Sequence, residues 1–250
     1  MSEIECADLT KDYGSFRALE RLNLQVEAGE IFGFLGPNGA GKTTTIRLLM
    51  GMLIPSGGSC RIHGLDCHSD RVRVKHFVGY LPDNPMFHDY LRGEEILHFV
   101  GNMHGLDKIT VRRRTHELLE QFSLADAAYE YAVNYSAGMK RKLGLCCALI
   151  HDPAVFLLDE PTNGLDPIAA REVQNWISAS AGAGKTVFLN THLLEMADKL
   201  CHRVAIINNG QLLAVGTPAD LENKLCQGGS LEEAFFAVTK PEERLDAQDR

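Results

Sequence analysis

The sequence IFGFLGPNGAGKTT, residues 31–44, is the most informative stretch of this chain. An apolar run, Ile31–Leu35, leads directly into the pattern G-x-x-x-x-G-K-[ST], and a helical run then extends to Leu53. Glycines let the backbone curl until successive N–H groups face one anion, and the N-terminal end of the following helix adds positive potential. This order of strand, loop and helix predicts a phosphate-binding loop rather than an ordinary glycine-rich turn.

The residues of this loop supply different groups to a bound triphosphate. Lys42 provides a positive charge for the β- and γ-phosphates, and the Thr43 hydroxyl is placed to bind Mg²⁺. The predicted nucleotide-binding residues of the loop are Gly36, Pro37, Asn38, Gly39, Ala40, Gly41, Lys42, Thr43 and Thr44, and Lys42 is also counted as catalytic. A second Gly-Lys-Thr, at residues 184–186, has Ala179 where the motif requires glycine and precedes a strand. We interpret it as a turn into that strand.

The composition is that of an ordinary globular protein. The chain has 250 residues, of which 45% are hydrophobic and 23% are charged, and its net charge is −8. The acidic balance argues against a nucleic-acid partner, and no apolar run reaches the roughly 18 residues that a membrane-spanning helix needs. The N-terminal residues lack the pattern of a secretory signal, and the 7 cysteines form no Cys-x-x-Cys pair. We therefore expect reduced thiols in a cytoplasmic protein.

Four side chains that could bind a metal lie close together in the sequence. They are Cys60, His63, Cys67 and His68. Their spacing matches no recognised zinc pattern, so the alternative is a strand that enters a turn at Gly64, with these side chains on different faces. We favour that alternative and keep the metal site as the minor interpretation.

Short β-like runs alternate with helical stretches, which indicates an α/β domain with a largely parallel sheet. The predicted core strands are Ile31–Leu35, Val78–Leu81, Val155–Leu158, Val187–Asn190 and Val204–Ile207. A separate antiparallel β portion is predicted from Ile4–Leu9, Leu22–Val26 and Gly58–His63. The predicted helices of an inserted lobe are Glu94–His104, Val111–Phe122 and Met139–Ile150. Two short helices are expected after Thr217, before a polar tail.

A buried strand that ends in two carboxylates marks the other side of the predicted site. The run Ala154–Leu158 is followed directly by Asp159 and Glu160. Ligands of parallel α/β sheets lie at the carboxyl ends of the strands, so both acids should face the phosphates. We predict that Asp159 holds Mg²⁺ and that Glu160 orients and deprotonates the attacking water. His192, at the end of another predicted strand, should point at the γ-phosphate.

Together these residues make the chain resemble the ATP-binding subunits of ABC (ATP-binding cassette) transporters, over residues 3–237. Tyr13 fits the aromatic residue that stacks on adenine in that family, and residues 135–139 fit its Leu-Ser-Gly-Gly-Gln signature. Residues 163–166, Asn-Gly-Leu-Asp, fit the loop after the acidic strand, and His192 fits the switch histidine. The resemblance therefore implies four further nucleotide-binding residues, which are Tyr13, Ser136, Gly138 and Asp166.

The resemblance also implies partners. In this family the helix that follows the signature closes on the γ-phosphate held by another chain, and Ser136 is suited to cap that helix. A chain with one phosphate loop therefore needs a second cassette, which we expect to be a copy of itself. The family further implies separate transmembrane permease subunits and a position on the cytoplasmic face of the membrane.

Two positions depart from the family pattern. Asp83 stands where the family commonly has glutamine, and Met139 stands at the last signature position. We place Asp83 with Thr43 and Asp159 among the metal-binding residues, although its charge would repel the γ-phosphate unless a metal intervenes. The sequences of residues 79–83, Gly-Tyr-Leu-Pro-Asp, and 135–140, Tyr-Ser-Ala-Gly-Met-Lys, are most similar to those in cassettes of bacterial exporters.

These observations lead to one functional prediction. We expect an ATP- and Mg²⁺-dependent ATPase subunit that powers a separate permease, of exporter type. Residues 1–239 should form the cassette, with a helical lobe at about 84–150, and residues 240–250 should form the polar tail. The alternative is a regulatory ABC ATPase that takes no part in transport, which the presence of both Glu160 and His192 disfavours.

Overall fold

The structure, a computed structural model, describes residues 2–239, and the predicted polar tail lies outside them. Its strands are β1 (Ser2–Tyr13), β2 (Phe16–Glu27), β3 (Ile31–Leu35), β4 (Gly57–Ile62), β5 (Leu65–Asp66), β6 (Val78–Leu81), β7 (Val155–Asp159), β8 (Thr186–Thr191), β9 (Arg203–Asn208) and β10 (Gln211–Gly216). Its helices are α1 (Lys42–Leu49), α2 (Arg71–Phe77), α3 (Gly93–Met103), α4 (Lys108–Gln121), α5 (Ala137–Leu149), α6 (Pro167–Gly182), α7 (Leu194–Leu200), α8 (Pro218–Cys226) and α9 (Leu231–Thr239).

A central sheet places the carboxyl ends of its five parallel strands along one edge. Its order is β10-β9-β3-β8-β7-β6, and only β10 runs antiparallel to its neighbour within this sheet. Strands β3, β7 and β8 are buried along their whole length because elements cover both faces, which explains their continuous apolar runs. Each buried Phe or Leu of these strands stabilises the fold by about 1.5–3 kcal/mol. The predicted parallel core is confirmed.

The N-terminal strands form the predicted antiparallel sheet, in the order β2-β1-β4-β5. Strands β1 and β2 make a hairpin whose last pair is Tyr13 and Phe16. The inner face of this sheet shares a hydrophobic core with α1 and with one face of the central sheet. This packing folds the hairpin end back beside the loop between β3 and α1.

The inserted lobe consists of α3, α4 and α5, and its three predicted helices are confirmed within a few residues. Helix α1 ends at Leu49, earlier than the predicted Leu53. Gly51 adopts a φ of +61°, and a Cβ at that position would lie 2.2 Å from the Cys67 carbonyl oxygen. Only glycine fits this approach, so the helix ends there. The predicted short helices after Thr217 are α8 and α9.

The second Gly-Lys-Thr is a turn, as predicted, since β8 begins at Thr186. At the cysteine and histidine cluster, the His63 ring stacks on Phe77 and its Nδ1 lies 3.1 Å from Glu3 Oε1. Within residues 2–239 no group of three or more His, Cys, Asp or Glu side chains is arranged to hold a metal ion. No helix of the same range has both the length and the hydropathy to span a bilayer.

Candidate nucleotide-binding site

The loop between β3 and α1 has the backbone that the glycine pattern predicts. Gly41 precedes the helix with a φ of +108°, and a Cβ there would lie 2.7 Å from the Ala18 carbonyl oxygen. At Gly36 a Cβ would lie 2.4 Å from the Ile207 carbonyl oxygen. Both glycines are therefore required for the loop to pass between β2 and β9. The first N–H groups of α1 lie at this loop, and they have no acceptor within the helix itself.

Lys42, the first residue of α1, folds back over the loop. Its Nζ donates to the carbonyl oxygens of Gly36, at 2.7 Å, and Pro37, at 3.2 Å. Burial lowers the pKa of this lysine, and the carboxylates of Glu160, Asp159 and Asp83 oppose that shift. An ammonium held at the loop in this way is suited to a phosphate ligand.

The predicted metal-binding oxygens meet next to the loop. Thr43 Oγ1 donates to Asp159 Oδ2 at 3.0 Å, and Asn190 Nδ2 donates to Asp159 Oδ1 at 2.7 Å. Burial raises the pKa of the Asp159 carboxyl, since the low dielectric disfavours its charge. The Thr43 hydroxyl and the buried Asp159 carboxylate are neighbouring oxygen groups of the kind that Mg²⁺ prefers, so the residues present fit such an ion.

Glu160 lies at the C-terminal end of β7 in an unusual backbone conformation. Its φ is +51°, which costs a residue with a Cβ about 1–3 kcal/mol. The backbone N–H donates to the Asn190 carbonyl oxygen at 2.8 Å. Its carboxylate accepts from Thr191 Oγ1 at 3.1 Å, and Oε1 lies 2.8 Å from His192 Nδ1. Both carboxylate oxygens are therefore held in place at the edge of the sheet.

Asp83 is anchored by Asn163 and by Arg141, of which only Asn163 belongs to a segment that the sequence analysis named. Arg141 Nη2 donates to the Asp83 carbonyl oxygen and lies 3.5 Å from Asp83 Oδ1. Asn163 Nδ2 donates to the same Oδ1 at 3.3 Å. Arg141 Nη1 also donates to the Glu160 carbonyl oxygen at 2.6 Å. No pattern along the chain pointed to Arg141, because 58 residues separate it from Asp83.

A cavity of about 290 Å³ joins the loop to the hairpin end. Its walls are Tyr13, Phe16, Ala18, Asn38, Gly39, Gly41, Lys42, Thr43, Thr44, Asp83, Asp159 and Glu160. Tyr13 and Phe16 are both partly exposed, at 45% and 61%, and the Nζ of Lys11 lies 5.2 Å from the Tyr13 ring centroid. Phe16 was not predicted as a site residue, although aromatic rings on a hairpin beside a phosphate loop suit a planar base.

Some predicted site residues do not line this cavity. Among them, His192 lines a separate cavity with residues of α6 and α7. The others are Gly36, Pro37, Ala40, Ser136, Gly138 and Asp166. Ser136 is exposed and caps α5, since its Oγ accepts from the Met139 N–H at 3.2 Å. Asp166 caps α6 in the same manner, through Ile168 and Ala169. Gly138 approaches the loop before α6, where an added Cβ would lie 3.5 Å from Leu165 Cδ2. Within one chain, Tyr13, the phosphate loop and the carboxylates of Asp83, Asp159 and Glu160 therefore meet at one cavity. The signature residues Ser136 and Gly138 lie apart from it.

The fold and the site define a nucleotide-binding protein with a phosphate loop, and comparison with known proteins refines that class. The model of the ABC transporter family matches residues 19–163. The daunorubicin/doxorubicin resistance ATP-binding protein of Streptomyces peucetius is 39% identical over 222 residues, which are 89% of this chain and 67% of that protein. A probable multidrug ABC transporter ATP-binding protein of Escherichia coli is 36% identical over 94% of this chain and 41% of its own length. The chain belongs to the ABC transporter family, as one of its ATP-binding subunits.

Solved structures agree with this assignment. An ATP-binding subunit of an ABC transporter superimposes with a TM-score of 0.90 at 31% identity, over 96% of this chain and all of that one. A dimeric ATP-binding cassette bound to ADP and Pi has the same fold, with a TM-score of 0.79 at 21% identity over 86% of this chain and 98% of that one. The chain spans about two thirds of the Streptomyces relative and less than half of the Escherichia coli relative.

Proposed function

We propose that this chain binds and hydrolyses ATP to power a separate membrane permease, and that the transporter is an exporter. The observation that carries the proposal is Glu160, whose carboxylate is held by Thr191 and His192 at the cavity that contains the phosphate loop. The export direction is supported by the names of relatives, which include drug-resistance proteins and a Nod factor export ATP-binding protein of Cupriavidus pinatubonensis, 38% identical over 87% of this chain and 67% of that protein.

In this proposal the loop holds the triphosphate. Its backbone N–H groups and Lys42 bind the β- and γ-phosphates, and the Lys42 ammonium exchanges carbonyl oxygens of the loop for phosphate oxygens. Tyr13 stacks on the adenine at the other end of the cavity. Thr43 and Asp159 are the residues that would hold Mg²⁺, with Asp83 close by. The metal ion would neutralise charge on the phosphates.

Glu160 acts on the attacking water. A carboxylate with its oxygens fixed by two neighbours can accept the proton of a water molecule as that water attacks the γ-phosphate. His192 follows β8 and is half exposed, and we assign its remaining ring nitrogen to a contact with the γ-phosphate; its contact with Glu160 supports this role. This division separates phosphate binding by the loop from proton transfer by the strand end.

A second cassette completes the site. Ser136, Gly138 and Asp166 lie outside the cavity of their own chain, so we assign them to the nucleotide of a partner copy. Ser136 begins a helix whose N-terminal end is suited to the γ-phosphate. In this proposal the permease lies in the membrane, and the two cassettes bind to the permease at the cytoplasmic face of that membrane. No nucleic-acid partner is proposed, because the net charge is −8.

ATP hydrolysis by the purified chain tests the proposal. Glu160→Gln keeps the shape of the side chain and loses the base, so turnover should fall roughly 10²–10⁴-fold, about 3–5 kcal/mol of barrier. ATP binding should persist, and a dimer should be retained longer in the presence of ATP. Equal losses of binding and turnover would contradict the assigned role of Glu160. A chain that binds ATP but hydrolyses none of it, with or without its permease, would favour the regulatory alternative.

A further inference from the structure

Arg141 is a buried cation at the junction of three segments of the chain. It belongs to α5, is 6% exposed, and donates to the backbone carbonyl oxygens of Glu160 and Asp83. Its Nη2 also lies 3.5 Å from the Asp83 carboxylate. A guanidinium removed from water to this extent is tolerated only where oxygens satisfy its N–H groups. Here those oxygens belong to Glu160, the proposed base, and to Asp83, which lines the same cavity.

Asp83 brings a third carboxylate to a cavity that has to receive a triphosphate. Asp159 and Glu160 line the same cavity. A carboxylate that faces a phosphate site opposes ligand binding and hydrolysis unless a cation compensates its charge. The guanidinium of Arg141 is close enough to compensate it.

The contact between Arg141 and the Glu160 carbonyl oxygen also stabilises an unusual backbone conformation. Glu160 adopts a φ of +51°, so its conformation depends on contacts that hold the peptide in place. Asn190 accepts from its N–H, and Arg141 donates to its carbonyl oxygen. Because guanidinium is a planar fork, one side chain can reach the Glu160 carbonyl through Nη1 and Asp83 through Nη2.

We propose that Arg141 is a positioning residue for hydrolysis, which neutralises Asp83 and fixes the backbone that carries the Glu160 carboxylate. It acts through these two residues and does not itself touch the nucleotide. The proposal rests on the proposed function, since it concerns the base of that reaction. It also explains how an aspartate is accommodated beside the γ-phosphate position.

The chain contains a matched control for this residue. Arg114 lies in α4, and its Nη2 and Nε donate to the Leu149 and Ile150 carbonyl oxygens at 2.7 and 3.5 Å. Like Arg141, Arg114 is thus a lobe arginine that donates to two backbone carbonyl oxygens, but it does so at the opposite end of α5. A purely structural loss should affect Arg114→Gln and Arg141→Gln in the same way.

The experiment measures kcat, KM for ATP and the thermal midpoint of four variants. Arg141→Gln should lower kcat about tenfold or more, and KM should rise by a smaller factor, because the uncompensated charge of Asp83 also opposes ATP binding. Adding Asp83→Asn to that variant should recover part of the loss, about threefold, because the uncompensated charge is gone. Arg141→Lys should be intermediate, since it keeps the charge and loses the fork. Arg114→Gln should lower the thermal midpoint and leave kcat unchanged.

An unchanged kcat in Arg141→Gln would overturn the inference, as would equal kcat losses in the Arg114 and Arg141 variants. A double variant no more active than Arg141→Gln would also overturn it. If Arg141→Gln does not fold, the neutral variant Arg141→Met replaces it, is measured with and without Asp83→Asn, and is compared with Arg114→Met. A Glu160→Gln variant as active as the wild type refutes the proposed function instead, so the two failures are distinguishable.

Discussion

The imidazole rings of His104 and His151 lie face to face, with centroids 3.6 Å apart and planes inclined by 6°. His104 follows α3 of the lobe, and His151 precedes β7 and contacts Val78 of β6, so the stack joins the end of the lobe to the central sheet. Nε2 of His151 lies 3.1 Å from the Val78 carbonyl oxygen and must donate to it, which leaves Nδ1 unprotonated. Among the described residues, Nδ1 is buried and has no hydrogen-bond partner.

This stack predicts a loss of stability in mild acid. Burial, with a smaller effect of His104, lowers the pKa of His151 from 6.5 to about 4, although Asp152 opposes the shift and His76 adds to it. As the pH falls below about 6.5 the unfolded chain takes up a proton that the folded chain does not, so the free energy of unfolding decreases until about pH 4.

Urea unfolding at pH 7.5 and pH 5 checks this expectation. His151→Gln should remove part of the difference between the two pH values, on the order of 1 kcal/mol after allowance for solvent screening. His116→Gln is the control, because the side chain of His116 is exposed at 78%. An identical pH dependence in the wild type and His151→Gln would refute the role of the stack.

Lys42→Ala should weaken ATP binding, because it removes a charge-assisted contact to the phosphates. The expected loss is about 1.5–3 kcal/mol or more, measured by titration calorimetry in the presence of Mg²⁺. Lys185→Ala is the matched control, since Lys185 belongs to the second Gly-Lys-Thr and pairs with Asp152 at 3.0 Å. Equal affinities in the wild type and Lys42→Ala would exclude this loop as the triphosphate site.

Tyr13→Ala should weaken ATP and GTP together by about 1–3 kcal/mol, because stacking reads no hydrogen-bond pattern. Tyr13→Phe should be tolerated. Phe16→Ala should also weaken both nucleotides, since Phe16 lines the same cavity. Inorganic tripolyphosphate, which has no base, should bind all three variants as it binds the wild type. Weaker tripolyphosphate binding would mean that these rings support the fold rather than the base.

Mixed dimers test the shared site. A Lys42→Ala chain and a Ser136→Arg chain should each be inactive alone. If Ser136 serves the nucleotide of the opposite chain, a mixed dimer combines both lesions in one site and leaves the other intact. ATPase activity should therefore reappear on mixing. No recovery, with mixed dimers demonstrated by differently tagged chains, would indicate that Ser136 acts within its own chain.

The parts of the site that are contiguous in the chain could be predicted from sequence. The loop at residues 36–44 and the end of β7 follow buried apolar runs, whose length and composition identify them as core strands. The position of Tyr13 followed from the resemblance alone. Its approach to the loop depends on how two sheets pack, which no local pattern encodes.

Contacts between distant segments could not be predicted. Arg141 lies on a helix where a basic residue ordinarily suggests an exposed face, and its burial arises because α5 packs against the ends of β6 and β7. Helices α2, α6 and α7 and strands β5 and β10 were also not predicted. Strand β10 contains an apolar run of only four residues, 212–215, and periodicity alone does not distinguish so short a run from part of a helix.

Asn190 contacts both acidic residues of the site, through its side chain to Asp159 and through its carbonyl oxygen to the Glu160 N–H. It lies opposite Asp159 in the pairing of β7 with β8. Insertion of one residue into β8 before Asn190 would turn its amide to the other face of the sheet. The spacing of the two carboxylates is thus set by strand alignment as well as by residue identity. Strand β8 should therefore tolerate conservative substitutions far better than an insertion or a deletion.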